Sequence, residues 1–284
     1  MAKIAVIGDI NADYIIMVDH IPDYDGDIEI DDLKITGGGF GPNTAYALAC
    51  FGDDVSLFGY AGDDINKEVA LGDLKGYVNL DGIVRCAKTG VCFSIVDKTG
   101  VRRLMTYKKD TICDISFDIE AIKRASWVHL AGLNFEKASE LLKKVRISSW
   151  DPGMPFLYSL GDLKAFRGIQ YVLLNEREFE IFRKFPEWIS FENLIVKMGE
   201  NGVRHFKRGS LLKSFPAFRV KAVDSTGAGD VFNAAFIHSI LEGSDIFKSI
   251  EFASAAGALS VTKVGARNVL KKEEVEKFIK EVRR

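Results

Sequence analysis

The strongest chemical signal in this chain is the segment Ala222-Val-Asp-Ser-Thr-Gly-Ala-Gly-Asp-Val-Phe-Asn-Ala-Ala-Phe236, where Gly227, Ala228 and Gly229 run directly into Asp230 and an apolar helical stretch. Small residues expose several backbone N–H groups together, and the leading end of a helix adds partial positive charge in the same direction. That combination is an anion hole suited to a phosphoryl group in transit. Asp230 stands at its rim, where a carboxylate could take the proton of a hydroxyl attacking phosphorus. The helix end should favour the charged form and make Asp230 a weak base, which a loose phosphoryl-transfer transition state tolerates. The competing reading is a simple helix cap. The chain contains no G-x-x-x-x-G-K-[ST] loop, so this is not a Walker A motif.

Three weaker segments accompany it. Thr36-Gly-Gly-Gly-Phe-Gly-Pro-Asn-Thr-Ala45 is a glycine-dense loop feeding a helix, in which Asn43 either orients substrate hydroxyls or caps the helix. In Gly8-Asp-Ile-Asn-Ala-Asp13, Asn11 and Asp13 alternate and so point the same way, which suits vicinal hydroxyls or an ordinary solvated turn. Asn175 and Glu178 have N-x-x-E spacing after a strand. They could hold magnesium-bound water or phosphate, or form a capping box.

The elements that must position these residues alternate in kind. Continuous apolar runs predict strands at 3–8, 55–61, 127–131, 171–174 and 194–198. Helical periodicity predicts helices at 43–51, 65–77, 136–145, 176–185, 230–242, 246–262 and 272–282. Such alternation implies one α/β domain over 1–284, a doubly wound, mostly parallel sheet with helices on both faces. Two stretches break the rhythm. Residues 14–36, with alternation at 27–31, and a hairpin pattern of 91–97 and 101–107 around Lys98-Thr-Gly100 predict a separate small sheet. Its strands are inserted at about 12–36 and 88–110 and would form a lid, a surface extension or a dimer contact.

Composition narrows the partners. The 284 residues carry 38 Lys+Arg against 40 Asp+Glu, which gives no basic excess for nucleic acid. No apolar run approaches the roughly 18 residues of a membrane span, and the N-terminus reads as a first strand, not a signal peptide. The cysteines (50, 86, 92 and 113) form no C-x-x-C pair, so reduced thiols and a cytoplasmic location are expected. The four histidines show no metal-ligand spacing.

In order, the four segments resemble the ribokinase-like (PfkB-type) carbohydrate kinase family over nearly the whole chain. The resemblance rests on G-D-x-N-x-D at 8–13, G-G-x-G-x-N at 38–43, N-x-x-E at 175–178, D-[ST]-T-G-A-G-D at 224–230, Lys197-Met-Gly-Glu-Asn-Gly202, and Ala258-Leu-Ser-Val-Thr-Lys-Val-Gly-Ala266. It implies a β lid over the acceptor, ATP as donor and Mg²⁺ on its phosphates. Asn11, Asp13, Gly38, Gly39 and Asn43 would then contact a sugar or nucleoside acceptor. Gly227, Ala228 and Gly229 would form the anion hole, and Asp230 would activate the hydroxyl. Asn175 and Glu178 would serve magnesium and phosphate, with Lys197, Gly199, Gly202 and Thr226 on the nucleotide side. A monovalent cation such as K⁺ would sit near Asp224 and Gly265, and two lids could pair in a homodimer.

The chain departs from the ribokinase pattern at Phe40, where ribokinases have lysine, at Pro42, and at Gly132-Leu-Asn134, where many sugar kinases place an acid. Ribose itself is therefore in doubt. Arg102, Arg103, Lys108 and Lys109 could grip an acceptor that already bears phosphate, or form a solvated lid face. Two other classes stand against the kinase: a non-catalytic polyol or nucleotide sensor on this scaffold, and an oxidoreductase, which the missing dinucleotide fingerprint disfavours.

Overall fold

A computed structural model describes the chain apart from residues 1, 24, 100, 109–110, 112, 114–115, 159–161, 269 and 283–284. Strand β1 (Lys3–Gly8) shows why a parallel sheet forms. Its Ile4 and Val6 pack into one apolar layer and its Ala5 and Ile7 into another, so both faces need covering. Each fully buried aliphatic side chain of this kind contributes about 1.5–3 kcal/mol.

The main sheet has nine strands in the order β13-β12-β11-β10-β9-β8-β1-β4-β5. These are β4 (Asp54–Ala61), β5 (Asn79–Arg85), β8 (Trp127–Ala131), β9 (Ser149–Asp151), β10 (Tyr171–Asn175), β11 (Asn193–Lys197), β12 (Val203–Lys207) and β13 (Ser210–Phe215). All neighbours are parallel except β11/β12 and β12/β13. Helices α1 (Phe40–Cys50), α7 (Ala228–Leu241), α8 (Ile246–Ser260) and α9 (Lys272–Val282) cover one face. The other is covered by α3 (Ile119–Lys123), α4 (Phe135–Leu142), α5 (Gly153–Tyr158) and α6 (Glu176–Phe182). Helix α7 is apolar around most of its circumference and is buried from Asp230 to Ser239.

A second sheet, β3-β2-β6-β7, is formed by β2 (Asn11–Val18), β3 (Asp32–Gly38), β6 (Gly90–Asp97) and β7 (Arg102–Tyr107). Helix α2 (Ile65–Leu71) packs against β2 and β3. This is the lid that the broken rhythm predicts. The alternation at 27–31 is not a strand, because that stretch is largely solvent-exposed and lies outside the β2/β3 ladder, which begins at Asp32, with the Asp31 N–H donating to the Met17 carbonyl at its edge. Strands β5, β9, β12 and β13 escaped the sequence reading; β9 has only three residues and β13 is mostly exposed, so neither presents a long apolar run. The expectation of reduced thiols is also corrected. Cys86 and Cys113 form a disulfide, their Cα atoms 5.6 Å apart across a separation of 27 residues that sequence spacing could not have paired.

Candidate active site

The carboxyl ends of the parallel strands supply polar residues to one edge of the sheet. Asp9 follows β1, while Asp151, Asn175 and Lys197 close β9, β10 and β11. Ligands of open α/β sheets bind at such an edge. A cavity of about 910 Å³ lies there, lined by Asp151, Asn175, Glu178, Lys197, Gly199, Gly202 and the run from Gly227 to Asp230. The predicted anion hole and the predicted nucleotide residues therefore share one cleft. Thr226 is the exception, since its amide donates to Asp224 and the residue does not line the cavity.

Gly227 caps α7 with φ 74°, and a Cβ there would lie 2.7 Å from the Ala266 Cβ, so the Gly265 loop can close against the helix end only over a glycine. Asp224 fastens the same junction. It accepts from the Thr226 and Gly265 amides at 2.9 Å each. Burial works against its charge, but these hydrogen bonds prevail and hold its pKa below the ordinary carboxylate range.

Asp230 is 6% exposed, and its Oδ2 accepts from the Asn43 Nδ2 at 2.9 Å. The expectation of a weak base at the helix end is reversed. Burial, reinforced by Asp151 and Asp9, drives the carboxyl well above its usual pKa despite the Asn43 hydrogen bond and nearby Lys197. A raised pKa makes Asp230 a stronger proton acceptor once it is ionised.

Beside it lies a network that sequence reasoning missed. Lys197 Nζ donates to Asp151 Oδ2 at 2.9 Å and to Asn233 Oδ1 at 3.0 Å, while Asn233 Nδ2 donates to Asp151 Oδ2 at 2.6 Å. Asn233 follows Asp230 by three residues on one helix, a spacing that could have flagged it. Asp151 sat on an unrecognised strand and carried no such signal.

Asn175 and Glu178 form a reciprocal capping box at 2.8 Å in each direction, yet both still line the cleft. Burial, and then Asp151, pushes the Glu178 pKa up to about 7. The Asp151 Oδ1 is buried with no hydrogen-bond partner. The unpartnered Asp151 Oδ1 and the buried Glu178 carboxyl fit a cleft that takes a divalent cation on a polyphosphate.

Among the residues predicted for the acceptor, Asn11 Nδ2 donates to Asp9 Oδ2 at 3.0 Å, and Lys108 Nζ reaches the same oxygen at 2.7 Å. These three residues line a second cavity of about 50 Å³ with Gly132, Leu133 and Asn134. Asp13 lies directly against Gly38, its buried Oδ1 lacks a partner, and burial and then Asp9 push its pKa up to about 6. Gly39 precedes α1, and its carbonyl accepts from the Asn43 backbone N–H. The Phe40 ring packs over Gly132 and Gly153 at the cleft wall. Of the lid cations, Arg102 lies on the same sheet face as Asp13 and donates to Ser94 Oγ at 2.9 Å. Strand register puts Arg103 on the opposite face, and Lys109 lies outside the described residues. Arg267, one residue beyond the last segment read from the sequence, was missed altogether. It donates from Nε to Asn43 Oδ1 at 3.0 Å.

Comparison with known proteins agrees with this geometry. The model of the pfkB family of carbohydrate kinases matches residues 1–273. An ATP-dependent ribose-1-phosphate kinase of Halopiger xanaduensis is 31% identical, covering 99% of each chain. A ribokinase of Bacillus subtilis is 29% identical over 98% of this chain and 100% of its own. Among solved structures, a ribokinase of Thermotoga maritima superposes with a TM-score of 0.84 at 29% identity, covering 99% of this chain and 100% of that one.

Proposed function

The chain belongs to the pfkB family of carbohydrate kinases and is a phosphotransferase with an alcohol acceptor, and from that premise we propose that it moves the γ-phosphoryl group of ATP onto a hydroxyl of a ribose-type sugar, with Asp230 as the base. The observation that carries this reading is the position of Asp230: a buried carboxylate at the head of α7, on the wall of the large cleft, held by Asn43 from the acceptor side.

In this mechanism Asn11, Asp13, Gly38, Gly39 and Asn43 orient the sugar, and the ionised Asp230 accepts the proton of the attacking hydroxyl. The new O–P bond forms as the bond to the ADP oxygen breaks. The amides at the α7 end, from Gly227 to Gly229, and Lys197 receive the charge of the transferring group. Asn175 and Glu178 would hold the water of a magnesium ion, which would supply further counter-charge to the donor phosphates. A monovalent cation would seat beside Asp224 and Gly265, where it would brace the helix end.

Two observations favour an acceptor that already bears phosphate, such as ribose 1-phosphate. Arg102 and Lys108 bring cations to the acceptor side, and the Halopiger relative is named for that substrate. The outer lid face, with Leu33, Ile35, Phe93 and Met105 exposed, supports pairing with a second copy. The test of the reaction is a panel of D-ribose, ribose 1-phosphate, other pentoses, hexoses and nucleosides with MgATP, with products identified by mass spectrometry. A phosphorylated ribose-type product is expected. ATP left intact with every acceptor would end the proposal. Arg102→Ala should raise KM about tenfold or more for ribose 1-phosphate and leave KM for ribose unchanged, as loss of a charge-assisted hydrogen bond requires; equal effects on both would remove the phosphate assignment.

A further inference from the structure

Arg267 has a nearly saturated environment. Its side chain is 5% exposed. Nε donates to Asn43 Oδ1 at 3.0 Å, Nη1 to the Ala70 carbonyl at 2.8 Å and to Asp73 Oδ1 at 2.5 Å, and Nη2 to the Gly38 carbonyl at 3.2 Å. A guanidinium has five N–H donors, so these four bonds leave one for anything else. That count argues against a clamp on substrate and for a fixed strut. Gly37 confirms how closely the strut is built in, since a Cβ there would lie 2.1 Å from Arg267 Nη1.

The strut ends on an amide whose orientation matters. Asn43 presents Oδ1 to Arg267 and Nδ2 to Asp230 Oδ2, 2.9 Å away. A guanidinium can only donate, so it forces the amide oxygen towards itself and the amide nitrogen towards the carboxylate. Resting on the reading of Asp230 as the base, we infer that Arg267 is a positioning residue that sets the Asn43 amide so that it donates to Asp230, and that it ties this relay to the root of the lid at Gly38. Other groups also face Asp230: Asp9 after β1, Asp151 on β9 and Lys197 on β11, with the Arg267 charge itself nearby. The test must therefore keep that charge.

Arg267→Lys does so while losing the planar fork. The pH profile of kcat/KM, which reports the free enzyme, is compared for wild type, Arg267→Lys, Asn43→Ala and the double variant, using ATP with ribose 1-phosphate or, if that is the acceptor turned over, D-ribose. Titration of the substrates is common to all four and cancels. Losing a hydrogen bond to the ionised carboxylate raises its pKa, so the acidic limb should move up by about one to two pH units. Arg267→Lys should move it as Asn43→Ala does, and the double variant no further. An unmoved limb in Arg267→Lys, or two shifts that add, overturns the inference. If the lysine variant lacks a cooperative melt, Arg267→Gln is titrated with and without Asn43→Ala: loss of the charge moves both profiles alike, so the inference requires a larger shift with Asn43 present, and equal shifts overturn it. An Asp230→Asn enzyme with wild-type turnover removes the base assignment itself; an inactive one beside an unmoved Arg267→Lys profile removes only the role of Arg267.

Discussion

At the scale of single residues, the site is a set of buried carboxylates, of which Asp9 and Asp151 are paired with Lys108 and Lys197. Asp230 is the one whose neighbours suit proton transfer, because burial raises its pKa while Asn43 and Lys197 keep ionisation within reach. Asp230→Asn should lower kcat by roughly 10²–10⁴ and leave nucleotide binding in calorimetry within about twofold. Asp13 gives a stability prediction. Its folded-state pKa is raised from 3.8 to about 6, so the native state holds the proton more tightly than the unfolded chain does. The stabilisation is full below pH 3.8 and is lost as pH rises through about 6. Above that range the ionised side chain costs on the order of 2–3 kcal/mol. Asp13→Asn should therefore raise the melting temperature at pH 8 and not at pH 3.5, while weakening acceptor binding. A melting difference that is the same at both pH values would contradict the assignment.

At the scale of elements, the decisive device is the junction of a strand's end with a helix's start. Helix α6 shows how a capping motif can also border a cleft. Asn175 and Glu178 each use one polar atom in the capping box and still border the cleft. Asn175→Ala should cost about 1 kcal/mol in thermal or denaturant unfolding. Asn175→Ser, a comparable cap, should unfold like wild type yet need more magnesium for half-maximal rate. Identical magnesium dependence in the serine variant would leave Asn175 as a cap alone. The N-x-x-E spacing was legible from sequence, but its two readings were not alternatives, and only the strand-end position shows that both fit. The helix of Asp230 was equally legible, since Gly-Ala-Gly-Asp before an apolar run marks a helix start. Its burial was not, because burial depends on the packing of distant segments such as α1, whose Asn43 donates to Asp230.

At the scale of the whole molecule, the lid separates two chemistries by sheet alternation. Asp13, Arg102 and Ser94 share one face, while Ile35, Phe93 and Met105 share the other. Wild-type protein should sediment as a dimer, and Phe93→Glu with Ile35→Glu should sediment as a monomer, because like charges would face one another across an isologous interface. A wild-type monomer at micromolar concentration would rule out lid pairing.

What the sequence determined by itself is whatever depends on neighbours along the chain: the alternating strands and helices, the helix starts after Asn175 and close to Asp230, and the identity of Asp230 as a candidate base. The tertiary structure decided everything that depends on contacts between distant segments. It paired Cys86 with Cys113, joined Lys197 to Asp151 and Asn233, and brought Arg267 to Asn43 across 224 positions. It also reversed the expected acidity of Asp230. A carboxylate's pKa is set by how much water and charge surround it, and those surroundings are assembled only when the sheet, the helices and the lid root close on one another.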